Sequence, residues 1–110
     1  MEKRRVVVTG VGVISSLGRN RSEFWDSVRS GRSGIEQIQS VPAAQLRFPM
    51  VAEVRGYDPE DYFPGRSAHH MDRFAQFALI AAREAVEDSR IDLKSIDRTR
   101  AGAGKSDAAG

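Results

Sequence analysis

Apolar positions along the chain gather into three runs, parted by polar stretches that carry glycine and proline. The first is Arg5-Val6-Val7-Val8-Thr9-Gly10-Val11-Gly12-Val13-Ile14-Ser15. Its β-branched residues are stiff at χ1 and favour a pleated surface, so the run predicts a strand. Val6, Val7 and Val8 break strict alternation, which predicts burial on both faces in the middle of a helix-covered sheet. Gly10 and Gly12 fall near its far end, where another backbone can come close or the chain can kink.

The second run predicts a helix. Asn20 is positioned as its N-cap with Glu23 three residues on, the spacing of a capping box, and Gly31 is placed to end it in a left-handed conformation. Phe24, Trp25 and Val28 share one side and are expected to pack into a core. Gly31 to Pro49 is predicted to be mostly irregular, and Met50 to Arg55 alternates as a half-exposed edge or hairpin strand would. Asp58-Pro59-Glu60-Asp61 has the cap, proline and acidic first turn of a short helix. Tyr62-Phe63 is expected to anchor it, and Pro64-Gly65 to stop it.

The third run is a long helix from near Asp72 to Ser89. Met71, Phe74, Ala75, Ala78, Ala82, Ala85, Val86 and Ser89 recur at steps of three and four, and Phe77, Leu79, Ile80 and Ala81 fill much of the remaining surface. A helix apolar on so many sides must be covered on several of them. That points to a core larger than 110 residues can build.

Composition changes this picture little. Hydrophobic residues make up 40% and charged residues 29%, as in ordinary soluble chains, with 17 basic and 15 acidic residues scattered along the sequence. No basic face interleaved with aromatics stands out, so no nucleic-acid partner is expected. The absence of cysteine removes disulfides, thiolate metal sites and a thiol nucleophile from these residues. Neither a signal-peptide core nor a membrane span is predicted, so no membrane association is expected and the default location is cytoplasmic.

Three motifs suggest chemistry and lack the context for it. Gly10-Val11-Gly12 after a strand resembles a dinucleotide fingerprint, but position 15 is Ser15 and the next helix begins only after Asn20. Gly102-Ala103-Gly104-Lys105-Ser106 resembles the end of a phosphate loop, but Thr99 stands where its first glycine belongs. His69-His70 are adjacent, so their side chains diverge, and no third ligand follows at a useful spacing. No residue is therefore assigned a catalytic, cofactor-binding or metal-ligating role, and no cofactor is expected.

Arg4-Arg5-Val6-Val7-Val8-Thr9-Gly10-Val11-Gly12, then Phe24-Trp25, Gly31-Arg32-Ser33-Gly34-Ile35, Met71-Asp72-Arg73-Phe74 and Glu84-Ala85-Val86-Glu87-Asp88-Ser89, together resemble a β-ketoacyl-acyl-carrier-protein synthase of the elongating type. Synthases of aromatic polyketide pathways are similar. The resemblance implies an α/β thiolase-like fold of two similar halves, of which residues 3–98 are the opening segment, with a central apolar strand and covering helices. It also implies an acyl carrier protein and a homodimer partner for the whole enzyme. The family's nucleophilic cysteine and two histidines match nothing here, so the segment is expected to be inactive alone, and His69 and His70 do not take that role. The family has glycine where Arg90 stands, a left-handed cap that costs about 1 kcal/mol without glycine. Residues 101–110 lack the β-branched strand that the family continues with, so 99–110 is expected to be a flexible tail, from an interrupted or frame-shifted reading frame or a truncated product. Two other readings stand beside the condensing acyltransferase. One is a catalytically silent partner of the chain-length-factor type, and the other is a small module that binds a protein partner.

Overall fold

The computed structural model describes residues 3–65 and 67–104. Two helices and one hairpin carry the regular structure: α1 is Arg21–Arg29, β1 is Ile35–Gln37, β2 is Met50–Ala52 and α2 is Arg73–Ser89. Single 3-10 turns at Ala43–Gln45, Pro59–Asp61, Ser67–His70 and Arg98–Arg100 punctuate the connections. These are elements of a partial α/β domain.

The caps of α1 follow its sequence. Asn20 Oδ1 accepts the Glu23 N–H at 2.9 Å, and the Glu23 carboxylate reaches back to Asn20 Nδ2 at 3.1 Å rather than to the Asn20 main chain. The helix closes at Ser30, and Gly31 takes φ 74° just beyond it. Likewise α2 ends on Arg90 at φ 57° and ψ 24°, the left-handed conformation that glycine adopts without strain. Its N-cap, Asp72, makes no side-chain capping hydrogen bond. Asp58 does cap its own short turn, accepting the Glu60 N–H at 3.0 Å.

Val6–Ile14 differs from its expectation. Among the described residues it joins no ladder, and the sheet present is the two-stranded antiparallel pair β1-β2, with Ile35 opposite Ala52 and Gln37 opposite Met50. Val6, Val7 and Val8 are 91%, 74% and 82% exposed. A strand buried on both faces needs flanking strands and a covering layer. Among the described residues no strand lies beside it, and α2 covers it only along residues 10–14. A second correction concerns β1, which lies inside the stretch predicted irregular. Of the residues expected in β2, only Met50–Ala52 pair.

The core is small. Phe63 and Ile80 are the buried hydrophobics, with Ile14, Tyr57, Tyr62, Met71 and Phe77 packed partly around them. Tyr62-Phe63 thus anchors its turn as expected. Trp25 and Val28 were expected inside, yet they are 58% and 42% exposed, and the buried residue of α1 is Ser27. Its hydroxyl donates to the Leu17 carbonyl at 2.6 Å.

Helix α2, expected to be covered on several sides, packs on one of them. Phe74, Ala78 and Ala82 are exposed, while Gln76 and Ile80 are buried and Phe77, Ala81, Glu84, Ala85 and Asp88 are at least half-covered. Contact with residues 10–14 selects this face, because that backbone needs close approach and hydrogen-bond acceptors.

The radius of gyration is 17.4 Å, against about 13 Å for a compact domain of this length. The accessible surface is 9435 Å², where a folded monomer of 12.1 kDa exposes roughly 6,000 Å². Both measures describe an open chain, and Val6, Phe48 and Phe74 are among the large apolar side chains it leaves exposed.

Candidate functional site

One polar arrangement joins the N-terminal segment and α1 to the last two turns of α2. Glycines make the approach possible. A Cβ on Gly12 would stand 2.8 Å from Ala85 N and 2.9 Å from the Ala81 carbonyl carbon, and would strike the Ala81 oxygen. A Cβ on Gly10 would stand 2.6 Å from Ser89 N and strike the Ala85 oxygen. The faces of Gly10 and Gly12 that a phosphate loop would turn to its ligand are thus filled by helix backbone. A bridged turn, with Ser15 N–H donating to Gly18 O at 2.8 Å, then separates these glycines from α1. Gly10-Val11-Gly12 therefore forms no cradle at a helix N-terminus.

A segment with no ladder still has main-chain donors to satisfy. Two carboxylates of α2 accept from it: Val13 N–H donates to Glu84 Oε1 at 2.8 Å and Val11 N–H to Asp88 Oδ2 at 2.9 Å. Glu84 also accepts the first N–H of α1, from Arg21 to Oε2 at 2.9 Å and to Oε1 at 3.2 Å. The Arg21 guanidinium pairs with Asp88. Placing a carboxylate at the N-terminus of α1 also complements its dipole. Spacing alone did not single out Glu84 or Asp88; a clue was that both stand four residues apart near the end of an otherwise apolar helix.

A second cluster surrounds Tyr57. Its ring stacks on Tyr62 at 5.7 Å and meets Phe77 edge-on at 4.9 Å, while the Arg73 guanidinium lies 5.3 Å from its centroid. Its hydroxyl donates to Gln76 Oε1, and Gln76 Nε2 donates to the Met71 carbonyl at 3.0 Å. Burial pushes the Tyr57 phenol above its ordinary range, with the Arg73 charge acting the other way. An open cleft of about 360 Å³ lies beside this cluster, lined by Pro59, Glu60, His69 and Gln76. No pair of groups there is arranged as nucleophile and base.

The hairpin carries a third network. Arg55 Nε lies 3.2 Å from Glu36 and Nη2 donates to Gln37 O at 3.0 Å. Glu53 Oε1 accepts the Gln39 N–H at 2.7 Å. Hydrogen bonds from the Ser40 hydroxyl and the Gln39 amide hold the Glu53 carboxyl below its ordinary value.

His69 and His70 are exposed at the end of a 3-10 turn, and no group of three metal-ligating side chains forms among the described residues. In the phosphate-loop-like stretch, Gly102 to Gly104 carry no regular structure, and Lys105 and Ser106 lie outside the described residues, as does the remainder of the predicted tail to Gly110. No described helix is long and apolar enough to cross a membrane.

A scaffold of this kind, with helix ends and a strand-like run locked together, acquires meaning from what the chain resembles. Residues 3–106 match the family described as "Beta-ketoacyl synthase, N-terminal domain", and the chain belongs to that family. Among individual relatives, it is 40% identical over 102 residues to a 3-oxoacyl-[acyl-carrier-protein] synthase 2 of Coxiella burnetii, covering 93% of this chain and 25% of that protein. It is 33% identical over 101 residues to the protein of the same name in Staphylococcus aureus strain COL, covering 92% of this chain and 24% of the other. The chain thus spans about a quarter of the length of these relatives.

Proposed function

We propose that this chain is the opening scaffold of a 3-oxoacyl-acyl-carrier-protein synthase, a condensing acyltransferase, and that it is inactive alone. The relatives carry that name and are matched over their N-terminal quarter. The observation that carries the reading is the pairing of that match with uncovered apolar surface: Val6 to Val8 on the N-terminal segment, Trp25 on α1 and Phe74 on α2. Surface of this kind is worth about 25 cal/mol per Å² when buried, so a covering layer of further chain stabilises it strongly. In the whole enzyme the fold is thiolase-like, with Val6–Ile14 as a central strand and α2 as a buried helix. The scaffold unit is residues 3–98, where the helices, the hairpin and the core lie.

Covalent chemistry of this class needs an activated nucleophile and donors for a developing oxyanion. The chain has no cysteine, and His69 and His70 are exposed on a turn apart from any such group. The nucleophile and the histidines therefore belong to other segments, and acyl carrier protein and a homodimer partner are partners of the whole enzyme. The cytoplasm is its proposed location.

The test is reconstitution. This chain is produced together with the remaining three quarters of the Coxiella burnetii relative, and condensation of an acyl group with malonyl-acyl-carrier-protein is measured. Condensation is expected from the pair and from neither piece alone. Condensation by this chain alone, or none from a pair that co-purifies, overturns the reading.

A further inference from the structure

We propose that Glu84 and Asp88 set where a sheet can grow on the N-terminal segment: on the edge facing α2, a neighbouring strand is admitted along Val6 to Thr9 and shut out from Val11 onward. A ladder needs main-chain donors free along one edge, and in an extended chain alternate residues send their amides to the same edge. Gly10 and Gly12 both turn to the α2 backbone, and Val11 and Val13 both donate to α2 carboxylates, which is that period of two. The donors that a neighbour's carbonyls would need at 11 and 13 are therefore taken. Carbonyls compete poorly for them, because a carboxylate accepts an amide more strongly than a neutral oxygen does. The two acceptors are themselves held in place, Glu84 by the Arg21 N–H and Asp88 by the Arg21 guanidinium. Among the described residues nothing accepts from the Gly10 or Gly12 amide, so the opposite edge stays open.

Ahead of that boundary the chain is bare. Val6, Val7 and Val8 are exposed, and no hydrogen bond engages their main chain among the described residues. Apolar side chains on both faces call for a neighbour that is itself β-branched and covered on both sides. Exposed Lys3, Arg4 and Arg5 mark the end at which such a ladder leaves the core. The neighbour is a strand from the part of the synthase outside this chain, which spans 25% of its Coxiella burnetii relative. That identity rests on the scaffold reading above, whereas the boundary rests on the hydrogen bonds of Val11 and Val13.

The test is amide hydrogen exchange on the full 110-residue chain, alone and co-purified with the remaining three quarters of the Coxiella burnetii relative. Pairing is expected to raise protection of the Val6 to Val8 amides by about tenfold or more. In the pair, the Glu84→Ala, Asp88→Ala double variant should lower protection at Val11 and Val13 by about tenfold and leave Val6 to Val8 unchanged. Unchanged protection at Phe77 to Ala81 reports an intact α2. Glu84→Gln with Asp88→Asn, which preserves the shape of both acceptors, should show the same pattern at smaller size if the alanine variant does not fold. A pair that fails to co-purify overturns the scaffold reading, and the neighbour named here falls with it. Three results overturn this inference alone. One is a co-purified pair with Val6 to Val8 unprotected, and another is a double variant that keeps full protection at 11 and 13, which places them in the ladder. The third is equal protection of Val6 to Val8 in the chain alone, which assigns their cover to a second copy.

Discussion

Gly12 and Arg90 show how single residues govern this chain in opposite senses. At Gly12 the missing side chain is needed, because the space a Cβ would take holds the Ala81 and Ala85 backbone. Gly12→Ala forces the segment away from α2 and should cost roughly 1–3 kcal/mol, read as a lower urea midpoint. At Arg90 the side chain is a burden, since φ 57° strains a residue with a Cβ. Arg90→Gly removes that strain and should raise stability by about 0.5–1 kcal/mol, seen as a higher melting temperature. No hydrogen bond or ion pair from the Arg90 side chain offsets the gain among the described contacts.

The elements differ in how far they depend on distant chain. In the hairpin, Glu53 sits below its ordinary carboxylate value of 4.5 because Ser40 and Gln39 donate to it. A carboxyl depressed in the folded state contributes stability that is present above the unfolded value and lost as pH falls through the folded one. The hairpin loop should therefore loosen as pH drops below about 4.5, with the Gln39 amide losing hydrogen-exchange protection. Glu53→Gln should flatten that response. This same scale divides what the sequence tells from what it hides. The left-handed close at Arg90 followed from the family resemblance. The ends of α1 and the turn at Asp58-Pro59 were readable because each cap is made by residues within a few positions of the helix end. So was the close approach at Gly10 and Gly12. The pairing of Val6–Ile14 and the burial of Trp25 and Val28 were not, because ladders and core contacts need partners that local pattern does not supply. Ile35–Gln37 escaped notice because three residues between Gly34 and Pro42 show no alternation to read. Which face of α2 packs was left open by a helix apolar on so many sides, because its contacts are chosen by glycine backbone and carboxylate acceptors, and apolar spacing carries no trace of either.

For the molecule as a whole, surface area is decisive. About 3,400 Å² more is exposed than a folded monomer of this mass shows, which exceeds the 1,200–2,000 Å² that a standard protein interface buries. The chain alone should self-associate or precipitate, with sedimentation showing polydisperse species, and a stable monodisperse monomer would contradict the scaffold reading. Producing it with the rest of a family synthase should restore solubility along with activity. Three networks, around Glu84, Tyr57 and Arg55, already fix local geometry in the uncovered chain. They shape these parts of the chain without a larger sheet around them.

The atoms that would collide with a methyl group at positions 10 and 12 belong to the main chain of Ala81, Ala85 and Ser89, and not to anything a codon change can trim. No compensating substitution along that helix can make room, so a genetic screen starting from Gly12→Ala should yield reversion at the same position rather than suppressors opposite it.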